Sequence, residues 1–171
     1  MINLQDYIHD VPDFPKPGIL FRDISPLLSS PQAFSCAVER MAEEFQKLGA
    51  TAIVAVESRG FIFGAPIAVR AKVPLVLVRK PGKLPGDKEC MQYGLEYGSD
   101  TLEIKAGVIP AGARVAVIDD VLATGGTAAA TGALVGKVGG MLAGYLFLIE
   151  LAALKGRDRL SSVPISALIS L

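Results

Sequence analysis

Residues 114–127 read RVAVIDDVLATGGT, and this stretch decides the fold. It begins with a short apolar run, residues 114–118, of the kind found in strands that are covered on both faces. Two aspartates follow the run, and a glycine pair lets the backbone turn tightly before a helix predicted over 127–138. The stretch therefore predicts one strand–turn–helix unit of a parallel α/β sheet.

The same alternation of elements continues on both sides of this unit. Apolar runs and helical spacing predict strands over 51–56 and 73–78, helices over 33–48 and 61–71, and a buried strand with its exit loop over 142–154. Between residues 80 and 109 prolines, glycines and charges dominate, and only 101–105 is a possible strand. No repeat or polar linker divides the chain, so we expect a single α/β domain.

The composition of the 171 residues narrows the class of protein. Lys plus Arg equals Asp plus Glu at 17 each, so no global charge favours nucleic acid or an anionic membrane as a partner. Cys36 and Cys90 are too few for a disulfide framework and lack the paired spacing of a zinc site. We therefore expect a cytoplasmic protein with free thiols that binds neither nucleic acid nor membrane.

Residues 119–127 have the composition of a site for a phosphorylated sugar. Amides of the glycine pair and the hydroxyls of Thr124 and Thr127 could surround a phosphate at the start of the predicted helix. The carboxylates of Asp119 and Asp120 could accept hydrogen bonds from vicinal sugar hydroxyls and lie near a magnesium ion. An acidic strand end that only caps the helix is the alternative, but the joint occurrence of acids, threonines and glycines favours the ligand site.

Two basic segments could bind further phosphate groups. Arg59 and Gly60 stand between a predicted strand and a predicted helix, where a guanidinium and backbone amides can hold a diphosphate. A surface arginine in a glycine turn is the alternative there. Arg79, Lys80 and Lys83 form a basic cluster that is either a solvated loop or a clamp for an anionic group. The sequence holds one histidine, which disfavours a hydrolytic triad or a zinc site.

Five segments resemble, in family order, the type I phosphoribosyltransferase family, and in particular its adenine-specific branch. The DDVLATGGT of residues 119–127 resembles the family's fingerprint for phosphoribosyl pyrophosphate. The other segments are FPKPGILFRDISPL (14–27), similar to the N-terminal signature, ESRGFIFG (57–64), similar to the pyrophosphate loop, and VRKPGKLP (78–85) with LEYG (95–98), similar to the two ends of a mobile flap. The resemblance covers about residues 14–159.

The resemblance implies a fold and an activity. The fold would be a parallel sheet flanked by helices in a single domain, residues 1–171, with a small N-terminal hood at about 1–30 and a mobile flap at about 80–105. The activity would be that of a purine-salvage pentosyltransferase, joining adenine to phosphoribosyl pyrophosphate and releasing AMP and pyrophosphate. Mg²⁺ is the implied cofactor, with Asp119 and Asp120 nearby and no direct protein ligand assigned. A homodimer is implied as well, because similar enzymes can supply part of the pyrophosphate clamp from the neighbouring subunit.

The resemblance also implies roles for individual residues. Those that would contact the phosphoribosyl group are Asp119, Asp120, Ala123, Thr124, Gly125, Gly126 and Thr127. Those that would contact pyrophosphate are Ser58, Arg59, Gly60, Arg79, Lys80 and Lys83, with a strained or cis peptide near Ser58. Those that would contact adenine are Leu20, Phe21, Arg22 and Leu151, with Phe21 stacking on the base. The implied catalytic residues are Arg59, Glu96, which would handle the adenine proton, and Tyr97, which would shield the reacting centre.

Two alternatives remain open from the sequence. A transferase for another base, such as xanthine, guanine or a pyrimidine, would differ in few pocket residues, although the segment around Phe21 favours adenine. A non-catalytic regulator that senses phosphoribosyl pyrophosphate and binds nucleic acid is disfavoured by the neutral net charge and by the lack of an appended helix-turn-helix.

Overall fold

The first strands of the described part of the chain form a short antiparallel ribbon. Its strands are β1 (His9–Pro12) and β2 (Leu20–Asp23), preceded by one 3-10 turn and followed by α1 (Ser25–Ser29) and α2 (Pro31–Lys47). The computed structural model describes residues 2–95, 98–160 and 163–171. It divides into two units, Met1–Arg40 and Met41–Leu171.

The second unit is built on a seven-stranded sheet. Its elements are β3 (Ala52–Val56), α3 (Gly60–Ala71), β4 (Leu75–Arg79), β5 (Lys88–Leu95), β6 (Gly98–Lys105), β7 (Arg114–Leu122), α4 (Gly126–Lys137), β8 (Met141–Glu150) and β9 (Ile165–Ser170). The strand order is β5-β6-β4-β3-β7-β8-β9. Strands β4, β3, β7, β8 and β9 are parallel, and the β5–β6 hairpin joins β4 in antiparallel pairing.

The central strand β3 is buried on both faces, as its continuous apolar sequence predicts. Its side chains alternate between the two faces because the side-chain period of a strand is two. Ala52, Val54 and Val56 belong to the core cluster that includes Leu134 of α4. Ala55 faces α3, where a methyl group added to Gly64 would lie 2.7 Å from the Ala55 Cβ. Helices thus cover both faces of the sheet.

The direction of the chain reverses at β3. From β3 the chain crosses through α3 to β4 on one side, whereas β7 pairs on the other side of β3 and continues through α4 to β8. Parallel crossovers are right-handed, so these opposite steps place α3 and α4 on opposite faces. Ligands of open α/β sheets bind beyond the carboxyl ends of the strands at such a reversal, here between β3 and β7.

The structure confirms the predicted α/β fold and most of its elements. The five helices and strands predicted over 33–48, 51–56, 61–71, 73–78 and 127–138 are found as α2, β3, α3, β4 and α4, with ends shifted by one or two residues. The buried strand predicted within 142–154 is β8, and Leu151 begins its exit. α2 begins at Pro31, which suits a first helical turn because that position needs no N–H donor.

Two predictions about secondary structure are wrong. β7 does not end at Ile118: it continues through both aspartates to Leu122, because β8 keeps pairing with it as far as Leu122 and Glu150. Its pairing with β3 does stop at Ile118, and this frees one side of β7 just where the acidic residues begin. Residues 80–109 are not largely irregular, because 88–95 and 98–105 form the β5–β6 hairpin. Strands β1, β2 and β9 are elements that the sequence analysis did not predict.

Candidate active site

A cavity of about 270 Å³ lies at the carboxyl ends of β3 and β7. Two loops that are some sixty residues apart in the sequence line it together, as the reversal of the sheet predicts. Its lining residues are Glu57, Ser58, Arg59, Asp119, Asp120, Val121, Leu122, Ala123, Thr124, Gly125, Gly126, Thr127 and Ala128. The structure therefore brings Ser58 and Arg59 together with all seven residues predicted to contact a phosphoribosyl group.

The turn between β7 and α4 has the geometry of a phosphate loop. Gly125 has a φ of 82°, in the left-handed region that glycine adopts without strain, and α4 starts at the next residue. The first N–H groups of a helix have no acceptor within the helix, so the start of α4 is suited to an anion. The turn is also packed against a distant segment, because a methyl group on Gly125 would collide with the carbonyl oxygen of Gly156.

The two aspartates at the end of β7 differ in their partners. Asp120, only 3% exposed, has Oδ2 at 2.7 Å from Arg59 Nε, in a charge contact rather than an aligned hydrogen bond. Asp119 accepts a hydrogen bond of 2.9 Å from the backbone N–H of Asp120. Burial, followed by the adjacent Asp120 charge, raises the pKa of Asp119 well above its ordinary value. Burial also raises the pKa of Asp120, against the attraction of Arg59. A hydrogen-bond donor or cation in the cavity would thus offset the loss of water around these two carboxyl groups, beyond the charge that Arg59 already places beside Asp120.

The loop between β3 and α3 approaches the end of β7 closely. The peptide bond between Glu57 and Ser58 is cis, at the place where the family resemblance implies one. Gly60, the first residue of α3, lies against β7, since a methyl group there would be 2.7 Å from the carbonyl oxygen of Ile118. This close packing sets Arg59 beside Asp120.

The predicted basic cluster is organised by a carboxylate that the sequence analysis did not single out. Glu57 Oε1 lies 2.5 Å from Lys83 Nζ and 3.4 Å from Arg79 Nη2, and Oε2 accepts a 2.8 Å hydrogen bond from the backbone N–H of Lys80. Burial alone would raise the pKa of Glu57, but the hydrogen bonds from Lys83, the Lys80 amide and Arg79 outweigh it and lower the pKa to about 2. β3 and β4 are parallel neighbours, so the carboxylate after one and the cations after the other could have been predicted to meet.

The hairpin contacts the start of α4 through a second group of residues that the sequence analysis did not identify. The hydroxyl of Tyr93 on β5 lies 3.2 Å from the Thr127 hydroxyl and 3.4 Å from Asp100 Oδ2 on β6. Lys80 Nζ pairs with the same Asp100 oxygen at 3.1 Å. Glu96 and Tyr97, the two predicted catalytic residues between these strands, lie outside the described residues.

The residues predicted to contact adenine are divided between the two units of the chain. Leu20, Phe21 and Arg22 belong to β2 in the first unit, where Phe21 packs edge to face with Phe14 at 5.2 Å and Arg22 pairs with Asp10. Leu151 follows β8 in the second unit and donates its backbone N–H to the Leu122 carbonyl at 2.9 Å. Their joint role toward a base therefore stays a prediction.

The fold and the cavity define a class of protein. It is an α/β protein in which a loop suited to phosphate follows a central parallel strand, β7, and leads into α4. Residues 28–162 match the family model described as the phosphoribosyl transferase domain. The chain is 52% identical over 169 residues to the adenine phosphoribosyltransferase of a Synechococcus species, and the match covers 99% of each chain.

Solved structures agree with this match. An adenine phosphoribosyltransferase from Thermoanaerobacter pseudethanolicus is 45% identical with a TM-score of 0.95, and the match covers 98% of each chain. The Saccharomyces cerevisiae enzyme, solved with an imino-altritol bisphosphate and adenine, is 43% identical with a TM-score of 0.90 over 96% of each chain. The chain belongs to the phosphoribosyltransferase family and, within it, to the adenine phosphoribosyltransferases.

Proposed function

We propose that this protein transfers the phosphoribosyl group of phosphoribosyl pyrophosphate to adenine, giving AMP and pyrophosphate in purine salvage. The observation that carries the proposal is the meeting of the Ser58–Arg59 loop and the 119–127 loop at one cavity, in a chain that matches adenine phosphoribosyltransferases along nearly its whole length. One loop suits a diphosphate, and the other suits a ribose 5-phosphate. The cavity thus has a place for each end of the donor substrate.

The 119–127 loop would bind the ribose 5-phosphate. The amides at the start of α4 and the hydroxyls of Thr124 and Thr127 would donate to the phosphate, since phosphate oxygens only accept hydrogen bonds. Asp119 and Asp120 would accept hydrogen bonds from the ribose hydroxyls. The Arg59 charge next to Asp120 would keep the carboxylate pair from repelling the anionic substrate.

Basic residues would stabilise the leaving pyrophosphate. Ser58, Arg59 and Gly60 are placed at the cavity or at the start of α3, while Arg79 and Lys83 are held by Glu57 at the end of the neighbouring strand. Departure of pyrophosphate gives the ribose an oxocarbenium-like charge, as in glycoside cleavage. Adenine then attacks from the opposite face. Because adenine is itself the nucleophile, no protein nucleophile is needed, and positioning and electrostatics supply most of the acceleration.

The residues of the cavity fit a Mg²⁺ that arrives with the substrate. Such ions are usually held by one or two carboxylates together with substrate phosphates and water. Asp119 and Asp120 place two carboxyl groups at the cavity, and a bound cation would favour their ionised forms. Residues 2–95, 98–160 and 163–171 contain no group of three or more His, Cys, Asp or Glu side chains that could hold a metal by themselves. Bound Mg²⁺ would supply positive charge against the developing pyrophosphate.

The proposal also assigns the residues that recognise adenine and assist its reaction. We assign the base contacts to Leu20, Phe21, Arg22 and Leu151, the proton transfer to Glu96 and the shielding of the ribosyl centre to Tyr97. The hairpin would act as the flap that closes over the reaction and excludes water. We also propose a homodimer in the cytoplasm. Among the described residues, no helix is long and apolar enough to cross a membrane.

A panel of bases offered with phosphoribosyl pyrophosphate and Mg²⁺ tests the proposal. We expect AMP from adenine and, at equal concentrations, product from hypoxanthine, guanine, xanthine or uracil at less than about a hundredth of that rate, because missing hydrogen bonds in a polar base site are costly. Faster turnover of another base would reassign the acceptor. Binding of phosphoribosyl pyrophosphate without turnover of any base would indicate the sensing regulator instead.

A further inference from the structure

We propose that Tyr93 is a positioning residue that couples occupation of the phosphate loop to the β5–β6 hairpin by reversing the direction of a hydroxyl relay. The relay runs from Thr127 through Tyr93 to Asp100, with oxygen–oxygen distances of 3.2 and 3.4 Å. The inference rests on the proposed function in one respect, namely that Thr127 donates to a sugar phosphate.

The relay has a direction because each hydroxyl carries a single proton. With no acceptor on Thr127 other than Tyr93, both contacts of Tyr93 are satisfied when Thr127 donates to Tyr93 and Tyr93 donates to Asp100. Burial raises the pKa of Tyr93, so its hydroxyl is a neutral donor near pH 7. The Thr101 amide, 2.8 Å from Asp100 Oδ1, lowers the pKa of Asp100 and is assisted by Lys80, so that side chain is an ionised acceptor.

A phosphate on the loop forces the opposite direction. Its oxygens accept only, so Thr127 must give its proton to the phosphate and can then only accept from Tyr93. Tyr93 turns its single proton from Asp100 to Thr127. Asp100 is not left uncompensated, because it retains the Lys80 ammonium at 3.1 Å and the Thr101 amide. The reversal keeps the bond between hairpin and loop but breaks the Tyr93–Asp100 contact within the hairpin when phosphate is present.

The ring of Tyr93 has a separate packing role that a variant can preserve. A methyl group on Gly126 would lie 3.5 Å from Tyr93 Cδ2, so the ring packs on the first turn of α4. Tyr93→Phe keeps this contact and removes only the hydroxyl. The matched control is Tyr7→Phe, which makes the same change in the first unit of the chain.

Titration calorimetry with ribose 5-phosphate tests the relay directly. Wild type gives up the Tyr93–Asp100 contact when phosphate binds and Tyr93→Phe does not, so we expect Tyr93→Phe to tighten binding by about three- to tenfold, the effect of one modest hydrogen bond, and Tyr7→Phe to leave it unchanged. Without ligand, the thermal midpoint of Tyr93→Phe should lie below that of Tyr7→Phe, because Tyr93→Phe removes the contacts with Thr127 and Asp100. In turnover assays Tyr93→Phe should lower the KM for phosphoribosyl pyrophosphate and leave the KM for adenine as it is.

A double-mutant cycle with Thr127→Val separates the relay from independent effects. Once Thr127 has no hydroxyl, Tyr93→Phe should change the affinity by less than about twofold; additive effects of the two substitutions, or an affinity of Tyr93→Phe itself equal to or weaker than wild type, would overturn the relay. A wild-type protein that binds ribose 5-phosphate but makes no AMP would reject the proposed function and leave the relay to be decided by the cycle. A wild-type protein that binds no sugar phosphate would reject both.

Discussion

The side chains of Asp119 and Asp120 are proposed to carry most of the specificity for the ribose. Asp119→Asn and Asp120→Asn each replace a carboxylate acceptor by an amide, and each should weaken binding of phosphoribosyl pyrophosphate by about 1–3 kcal/mol while changing adenine binding much less. Titration calorimetry with each ligand measures the two effects separately. Asp6→Asn, an exposed change in the first unit, is the control. Equal affinity of all three variants for the sugar phosphate would remove the assignment.

Glu57 gives a second prediction, about stability and pH. Its pKa of about 2 in the folded chain is below the ordinary value of 4.5, so its ionised form stabilises the fold above pH 4.5 and this contribution is lost as the pH falls toward 2. Glu57→Gln should therefore be less stable than wild type at pH 7, and the difference should shrink across that acid range.

Denaturant unfolding at a series of pH values measures the effect of Glu57→Gln. Glu39→Gln, an exposed change on α2, serves as the control and should follow wild type throughout. If the difference in the free energy of unfolding between Glu57→Gln and wild type stayed constant from pH 7 to pH 2, the ion pairs of Glu57 with Lys83 and Arg79 would not be what stabilises the fold.

The residues of the cavity could be predicted where they are adjacent in sequence. The 119–127 motif can be recognised from the sequence because acids, threonines and glycines occur together in it. Glu57, Tyr93 and Asp100 escaped notice because each acquires its role from a neighbour on another strand: Glu57 from the cations after β4, and Tyr93 and Asp100 from cross-hairpin and helix contacts. A single sequence shows such partners only after the register of the strands is known.

The short helical segment Gly156–Arg159 supports the phosphate loop from behind. A methyl group on Gly156 would collide with the carbonyl oxygen of Ala123 and lie 3.0 Å from Leu122 Cδ1. Gly156→Ala should thus displace the loop and raise the KM for phosphoribosyl pyrophosphate by about tenfold or more, since misplacement of binding groups by an ångström is costly. Steady-state kinetics with varied donor checks this.

Gly136→Ala is the matched control for Gly156→Ala. A methyl group on Gly136 would meet no atom within 4 Å, and alanine favours the α4 helix. This variant should keep wild-type kinetics and equal or exceed wild-type stability. Unchanged kinetics in Gly156→Ala as well would show that the loop does not depend on the segment behind it.

The β5–β6 hairpin is the element on which the proposed flap depends. With phosphoribosyl pyrophosphate, Mg²⁺ and a non-reacting adenine analogue, we expect residues 80–99 to become more protected from limited proteolysis and hydrogen exchange, because closure removes the hairpin from water. Equal protection with and without ligands would contradict a flap. If the hairpin closes but Glu96→Gln is fully active at every pH, the assignment of the flap stands and Glu96 has no role in proton transfer.

The elements in the interior of the sheet and the long helix could be predicted from the sequence, whereas the strand at the edge of the sheet could not. β3 and β8 are apolar runs in which nearly every residue is buried, β4 is a shorter apolar run with alternate residues buried, and the spacing of apolar residues in α2 is helical. β5 instead reads KECMQYGL, with exposed residues at 89, 90, 92 and 94 and a glycine near its end, so its sequence lacks a clean alternation of apolar and polar residues. Its strand character comes from pairing with β6, and Lys88 also forms an ion pair with the buried Glu103 of β6. Tertiary context therefore decided where propensity did not.

The whole molecule is expected to fold without a metal and to react only with one. Among the described residues no set of three or more potential ligand side chains could hold an ion, whereas the pyrophosphate itself can. Removing Mg²⁺ with EDTA should abolish AMP formation and leave the thermal midpoint of the ligand-free protein unchanged. Added Mg²⁺ should restore turnover. A midpoint that falls by more than about 4 °C would reveal a structural metal site.

The position of β5 at the outer edge of the sheet bears on self-association. Unpaired backbone groups on an edge strand can template addition of a strand from another molecule. Here Lys88 and Glu89 place charge along the edge, and Lys137 of α4 donates to the Cys90 carbonyl at 2.9 Å, occupying an acceptor that another chain could use. The edge strand of the proposed flap is in this way also protected against fibril-like stacking at high protein concentration.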